Sequence, residues 1–400
     1  MAGRADGRPL VSAQLVGALQ MGGAEHLAVQ IANARAVAGD RSHLYVMGGP
    51  GPLSAKISPA VTVRYFDHRV ASPARPWRCL VSVREGYRLL AASLAADGVD
   101  VLQSHLPGAN FWGLLLSRRR RCAVVPTVHN NREFAYGDTA NPLRTRMRRW
   151  AYRRMLKDCN AVVAVSEKVK ASLLVELGVG EAAADRLVVI PNGVSEPPPL
   201  ASDELTRIRA RFGCGEGEFL ALAAGRHDAQ KNYRTLIETM VLLLARGVPL
   251  RLVLAGEGPL SEEHRRLCDE SGLSARVVMP GNLDDLSRVM QSADCFVMSS
   301  LWEGLPLVML EAMAAGLPVA GTRIPGIEDV IEDGVNGVLA DPADAAGLAD
   351  AVARLAADAD LRARCRASAL ASVRRDYSLD RVSRDLGDLY HRVAGTAGKS

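Results

Sequence analysis

Two glutamates, Glu303 and Glu311, flank the start of an apolar helical run, in the order Glu303-Gly304-Leu305-Pro306-Leu307-Val308-Met309-Leu310-Glu311. The second carboxylate has Leu307, Val308, Leu310, Ala314 and Ala315 as neighbours at helical spacing, so a solvated polar face is missing. Taking an ionised carboxylate out of water is costly unless it is paired or hydrogen-bonded. The next cation downstream, Arg323, lies beyond Gly316 and Pro318, which leaves a bound polar ligand as the natural partner. Pro306 is expected at the first helical position, where its missing N–H is no loss. The N–H groups of Gly304 and Leu305, with the positive end of the helix dipole, then form a receptor for anions and hydroxyls. An acidic residue at a helix start also occurs without any function, which makes Glu303 alone a weaker signal than Glu311.

A second cluster follows the apolar run 219–224 and reads Gly225-Arg226-His227-Asp228-Ala229-Gln230-Lys231-Asn232. Two cations at a strand end can hold a diphosphate, stabilising its growing negative charge without a metal. Plain surface cations are the competing reading. Gly22 and Gly23 precede a helix near the N-terminus, where paired glycines let backbone N–H groups approach a phosphate or sugar. The spacing G-x-G-x-x-G is absent, which disfavours a nicotinamide site. His129 follows the run 123–128 at its carboxyl end, where a lone histidine is more often a structural or solvent-exposed residue than a ligand. Gly281-Asn282-Leu283 follows the run 277–279, and Asp284-Asp285 begins a helix as a cap, not as a metal motif.

The stretch Ser299-Ser300-Leu301-Trp302-Glu303-Gly304-Leu305-Pro306, continued by Glu311-Ala312-Met313-Ala314-Ala315-Gly316-Leu317-Pro318-Val319, resembles the E-x7-E signature of family 4 retaining glycosyltransferases. The resemblance implies the GT-B fold: two doubly wound Rossmann-like domains facing a central cleft, with a C-terminal helix crossing back to the N-terminal domain. It implies that Glu303 and the N–H groups of Gly304 and Leu305 hold the donor sugar and that Glu311 binds the ribose hydroxyls. Arg226 and Lys231 would hold the donor diphosphate. His129 would approach the donor sugar, while Gly281 and Leu283 would contact the base largely through backbone. Gly22-Gly23-Ala24-Glu25 is similar to the family's glycine-rich loop. The implied reaction retains anomeric configuration by front-face attack, needs no metal or other cofactor, and uses a nucleotide-diphosphate sugar as donor substrate. Its acceptor would be a carbohydrate or a lipid-linked molecule in cell-surface polysaccharide or glycolipid synthesis. A nucleotide-sugar epimerase and a catalytically silent sugar-nucleotide-binding scaffold are the alternatives.

The elements that must position these residues alternate throughout the 400-residue chain as short β-branched runs and helical stretches, the pattern of parallel sheets in an α/β protein. Strands are expected at 11–16, 44–47, 61–66, 99–104, 123–128, 161–165 and 187–190, then at 219–224, 250–255, 277–279, 295–298, 318–320 and 338–340. The prolines 197–199 halt regular structure, so the expected domains are residues 1–195, joined by a final amphipathic helix at 377–395, and residues 196–376. This length exceeds what a single core usually organises.

Composition narrows the function further. Aromatic residues make up only 4%, against a stacking nucleic-acid reader. No apolar run reaches the length of a membrane span, and the polar opening residues 1–8 do not read as a signal peptide. Seven scattered cysteines form no C-x-x-C pair and read as reduced thiols in a cytoplasmic setting. Charge is uneven: residues 1–195 hold 26 Lys and Arg against 14 Asp and Glu, whereas residues 196–400 hold 23 against 30. Much of the excess lies in Arg118 to Arg121 and in the helical stretch from Arg144 to Lys157. That stretch can lie on an anionic membrane surface, giving a peripheral protein, or be a solvated face.

Overall fold

The computed structural model describes residues 8–72, 74–118, 121–134, 142–180 and 185–395. Arg119, Arg120 and residues 135–141 lie outside the described residues. The chain divides into two compact units, Met1–Gly193 with Leu379–Ser400, and Val194–Ser378.

The first unit runs β1 (Val11–Val16), α1 (Gly23–Val37), β2 (Arg41–Val46), β3 (Thr62–Tyr65), α2 (Pro76–Asp97), β4 (Val101–His105), α3 (Leu106–Ser117), β5 (Ala123–Val128), α4 (Pro142–Asp158), β6 (Val162–Ala164), α5 (Glu167–Leu177) and β7 (Leu187–Val189). Its seven strands are all parallel, in the order β3-β2-β1-β4-β5-β6-β7. Every residue of β1, β4 and β5 is buried, as in a sheet covered on both faces, and the polar residues among them, such as Ser12, Gln14 and Gln103, are hydrogen-bonded. The chain moves outward from β1 to β3 and returns to the other side of β1 at β4. Right-handed crossovers then put α2, α3, α4 and α5 on one face and α1 on the other, and within the first group each helix touches the next.

The second unit repeats the scheme with α6 (Ser202–Arg211), β8 (Phe219–Ala224), α7 (Tyr233–Ala245), β9 (Leu250–Ala255), α8 (Ser261–Glu270), β10 (Val277–Val278), α9 (Leu286–Ser292), β11 (Cys295–Met298), α10 (Leu307–Ala314), β12 (Val319–Thr322), β13 (Gly337–Ala340), α11 (Ala345–Ala357) and α12 (Ala359–Ser372). Its parallel order is β10-β9-β8-β11-β12-β13. The reversal of winding makes β8 and β11 neighbours although more than seventy residues separate them, and ligands of open α/β sheets bind at such a switch point. Its core joins strand residues such as Leu252 and Val297 to Leu236, Met240 and Leu348 of the covering helices.

The final helix α13 (Leu379–Ala394) belongs to the first unit and packs on α1. Arg35 of α1 is buried, holds Asp40 through Nε and Nη2 at 2.8 Å each, and donates from Nη1 to the Ser383 carbonyl at 2.9 Å. Gly387 leaves room for that guanidinium, since a Cβ there would press on Arg35 Nη1. The helix starts two residues later than its amphipathic pattern suggests. Val373–Tyr377 is a π-helical turn, and Val194 N–H donates to the Tyr377 carbonyl at 2.9 Å, which draws that end of the chain out of the helix.

One close approach fixes the loop after β8. Gly256 has φ of 117°, and a Cβ there would overlap the Gly225 carbonyl oxygen, while its N–H donates to the Gly281 carbonyl at 2.8 Å. Gly256→Ala should therefore lower unfolding free energy by about 2 kcal/mol or more, because both backbone strain and a backbone clash must be relieved. Equal chemical-denaturation midpoints for variant and parent would refute the close approach.

Candidate active site

Lys231 and Glu303 meet at the switch point of the second unit. Lys231 stands on the loop after β8 and Glu303 on the loop after β11, and Lys231 Nζ lies 2.6 Å from Glu303 Oε1. Glu303 is only 6% exposed. Its charge is matched by two more donors: Ser300 Oγ–H to Oε1 at 2.8 Å and Gln230 Nε2–H to Oε2 at 3.0 Å. A buried carboxylate with one cation and two neutral donors is satisfied without solvent. The two loops are also stitched by backbone, with Leu301 N–H donating to the Gln230 carbonyl at 2.8 Å and Ser299 Oγ–H to the Lys231 carbonyl at 2.8 Å.

The turn that presents Lys231 is built from local contacts. Asp228 Oδ1 accepts from the N–H groups of Gln230 and Lys231, and Asn232 enters α7 with φ of 48°. His227 is buried, with its Nδ1 3.0 Å from His264 Nδ1 and its ring edge-on to Tyr233 at 4.9 Å. Burial pushes His227 down to about 4, so the ring is neutral and acts as packing. Arg226 is exposed and its side chain has no partner among the described residues.

Glu311 occupies a less dry position than its sequence neighbours suggest. Leu307, Met309, Leu310, Ala312, Met313 and Ala314 are buried, whereas Val308, Glu311 and Ala315, at helical spacing, form a half-buried stripe that leaves the carboxylate an outlet. Pro306 is the N-cap of α10, one residue outside the helix, and Met309 N–H donates to its carbonyl at 3.1 Å. Gly304 and Leu305 are buried. A Cβ on Gly326, which has φ of 87°, would overlap the Gly304 carbonyl, so that neighbour must be glycine. Gly281 has φ of 77° and a Cβ there would come to 2.9 Å from Glu257 Oε1, while Leu283 is half-buried two residues on. Asp285 stands at the N-cap of α9, but its side chain pairs with Arg211 at 2.8 Å instead of capping.

His129, Gly22 and Gly23 lie on the first unit, at the carboxyl ends of β5 and β1. Gly22 caps α1, and a Cβ there would collide with the Glu25 carboxylate. His129 stacks on His105, the last residue of β4, with ring centroids 5.3 Å apart and Nε2 at 3.1 Å from His105 Nδ1. His105 Nε2 is 2.8 Å from Gln14 Oε1, Gln14 Nε2–H donates to Tyr390 Oη at 3.0 Å, and Tyr390 in turn donates to Gln103. Because Gln14 Oε1 can only accept, His105 carries its proton on Nε2, and its Nδ1 accepts from His129 Nε2–H. His129 Nδ1 is thereby left as an acceptor. Burial pushes His129 down to about 4, so it is neutral near pH 7.

Sequence reasoning missed Gln230 and Ser300 around Glu303, and His105 and Gln14 behind His129. The signals were faint: Gln230 adjoins Lys231, Ser300 precedes Glu303 by three residues, and His105 ends its strand as His129 follows the next. It also missed Glu133, four residues after His129. That carboxyl is buried against Tyr152 of α4, whose Oη–H donates to it.

Residues 21–196 match the model of Glycosyltransferase Family 4, and residues 205–371 that of Glycosyl transferases group 1. The 2-deoxystreptamine glucosyltransferase of Streptomyces kanamyceticus is 31% identical over 283 residues, 66% of this chain and 71% of that protein. The lipopolysaccharide core biosynthesis glycosyltransferase LpsE of Rhizobium meliloti is 37% identical over 156 residues, 39% of this chain and 45% of that protein. The crystal structure of Anabaena HepE in complex with UDP and glucose is similar with a TM-score of 0.78 at 20% identity, covering 95% of this chain and 99% of that one. The chain thus belongs to the family 4 glycosyltransferases and has the GT-B fold they share.

Burial pushes the Glu133 carboxyl up to about 7 from an ordinary value of 4.5. The folded state then holds a proton that the unfolded chain gives up, so this group costs nothing below pH 4.5 and destabilises increasingly as pH rises through 7. Glu133→Gln should remove that slope and raise stability at pH 8 by about 2 to 3 kcal/mol relative to the parent. Parallel stability-versus-pH curves for the two proteins would overturn the assignment.

Proposed function

We propose that this protein is a retaining glycosyltransferase that moves a sugar from a nucleotide-diphosphate donor to a carbohydrate or lipid-linked acceptor in cell-surface polysaccharide or glycolipid synthesis. The observation that carries the reading is the pairing of half-buried Lys231 with the buried Glu303 carboxylate, backed by Gln230 and Ser300, at the switch point of the second sheet. In this reading Arg226 and Lys231 hold the diphosphate, Glu303 with Gly304 and Leu305 holds the donor sugar, and Glu311 binds the ribose. Gly281 and Leu283 contact the base, the Gly22–Gly23 turn approaches the donor phosphate or sugar, and His129 accepts from a sugar hydroxyl. No cofactor or metal takes part.

The bond from the anomeric carbon to the diphosphate oxygen breaks while the acceptor oxygen bonds to the same face of that carbon. The acceptor's proton passes to the departing phosphate oxygen, so atoms and charge balance without a protein nucleophile. Charge gathers on the diphosphate as that bond stretches, and Arg226 and Lys231 stabilise it most at that moment. The setting is cytoplasmic, and a lipid-linked acceptor would bring the enzyme to the inner face of an anionic membrane, with the stretch from Arg144 to Lys157 as one contact.

Lys231→Ala and Arg226→Ala should each lower kcat/KM for the donor by more than about tenfold, or roughly 1.4 kcal/mol. Parental kinetics in either variant would remove the diphosphate assignment from that residue. A screen of UDP-, GDP- and ADP-sugars with alcohol acceptors should yield a product whose anomeric proton coupling in NMR matches that of the donor. An inverted product would end the retaining mechanism, isomerised donor without acceptor would mean an epimerase, and binding without turnover a silent scaffold.

A further inference from the structure

The first unit carries large apolar side chains where a protein surrounded only by water gains nothing from them. On α2, Trp77 is 75% exposed and Leu80 60%, with Val81 and Leu89 exposed beside them. Trp77, Leu80, Val81, Arg84 and Arg88 follow one line of the helix, opposite the buried line Ser82, Gly86, Leu90 and Leu94. Arg75, Arg78, Arg84 and Arg88 are all exposed, and none of their side chains has a partner among the described residues. The outer edge of α2 is therefore an apolar strip bordered by uncompensated cations.

The strip does not stand alone. α2, α3 and α4 lie side by side on the same face of the sheet, and α4 adds Met147 at 62% and Trp150 at 52% exposure, with Phe111 exposed on α3 between them. Of the four tryptophans in the chain, the two most exposed, Trp77 and Trp150, both lie in this layer. The arginines of α4 are partly spent on the protein itself: Arg153 Nε donates to the Leu177 carbonyl at 2.8 Å, Arg154 pairs with Asp158 at 2.7 Å, and Arg149 lies over the Phe134 ring at 5.9 Å. Those of α2 are not.

We propose that the outer edge of α2, continued by Trp150 and Met147 of α4, docks this enzyme on an anionic phospholipid bilayer. Charge chooses the occupant. A protein partner would need acidic residues matched to each arginine, whereas an anionic bilayer offers phosphates continuously, with acyl chains below them for Trp77 and Leu80. Indole rings favour that boundary because one edge is apolar and the N–H is polar. The α4 stretch singled out by its charge is then the secondary contact, and α2, with fewer cations, is the primary one. This deepens the lipid-linked half of the acceptor reading, and its test does not depend on turnover.

Full-length protein should sediment with vesicles of equimolar phosphatidylcholine and phosphatidylglycerol, but weakly with phosphatidylcholine alone, and added salt should reduce the binding. The double variant W77E/L80E changes exposed positions only and should lose anionic-vesicle affinity by at least about tenfold while keeping the parental unfolding midpoint. The triple variant R78Q/R84Q/R88Q should lose most of the salt-sensitive part. Parental vesicle binding by W77E/L80E overturns the proposal. If that variant instead converts a parental dimer to monomer with vesicle binding unchanged, the strip joins two copies of this chain and the lipid assignment is wrong. Absence of donor turnover in the parent would sink the transferase reading and leave the vesicle result standing.

Discussion

Burial of a carboxylate that must find its cation on a loop far away in sequence is the constraint on which the candidate active site depends. Lys231 and Glu303 can meet only because β8 and β11 are neighbours in the sheet, and that adjacency follows from the reversal of winding after β10. Taking the Glu303 carboxylate out of water is costly, and removing Lys231 would strand it. The surroundings offset that cost with hydrogen bonds from Ser300 and Gln230, and with Ser299 holding the Lys231 carbonyl. Glycines keep each loop seated against its other neighbours: a Cβ on Gly256 would overlap the Gly225 carbonyl, and one on Gly326 the Gly304 carbonyl.

The fold was legible because parallel strands buried on both faces announce themselves as short apolar runs. All thirteen expected strands are present, seven in the first sheet and six in the second, with boundaries displaced by up to three residues. The displacements have local causes. Arg41 and Ser42 begin β2 despite their polarity because the partner for their backbone is β1, not their own side-chain pattern. The end of the chain was read as helical from 377, but the Tyr377 carbonyl is drawn to Val194.

The site was legible only in part. Cations at a strand end pointed to Lys231 for a diphosphate, the resemblance to the family gave Glu303 the donor sugar, and nothing local could reveal that the two pair with each other. The inference about Glu311 leaned on nearest neighbours in sequence, yet a helix has several faces, and Val308 and Ala315 turn out to share the half-buried one with it. The chain from His129 through His105 and Gln14 to Tyr390 joins residues of three neighbouring strands and their loops to the last helix, a separation no motif encodes. Counting charges draws attention to α4, yet it cannot tell an arginine bound to its own protein, as Arg153 and Arg154 are, from one left open to solvent, as Arg84 and Arg88 are.

The pairing of Lys231 with Glu303 bears on how the proposed donor would be received. A lysine whose charge is already balanced by a carboxylate at 2.6 Å exerts little long-range pull on an approaching diphosphate. Arg226, exposed and without a partner among the described residues, exerts the larger pull and would make first contact. Lys231 still has two N–H bonds to offer, so it can take a phosphate oxygen without leaving Glu303. Glu303 in turn still has lone pairs for a sugar hydroxyl while Gln230 and Ser300 keep it in place. In this arrangement the ligand joins an existing network and does not have to break one, so the ordering that binding would otherwise require is already present in the folded chain.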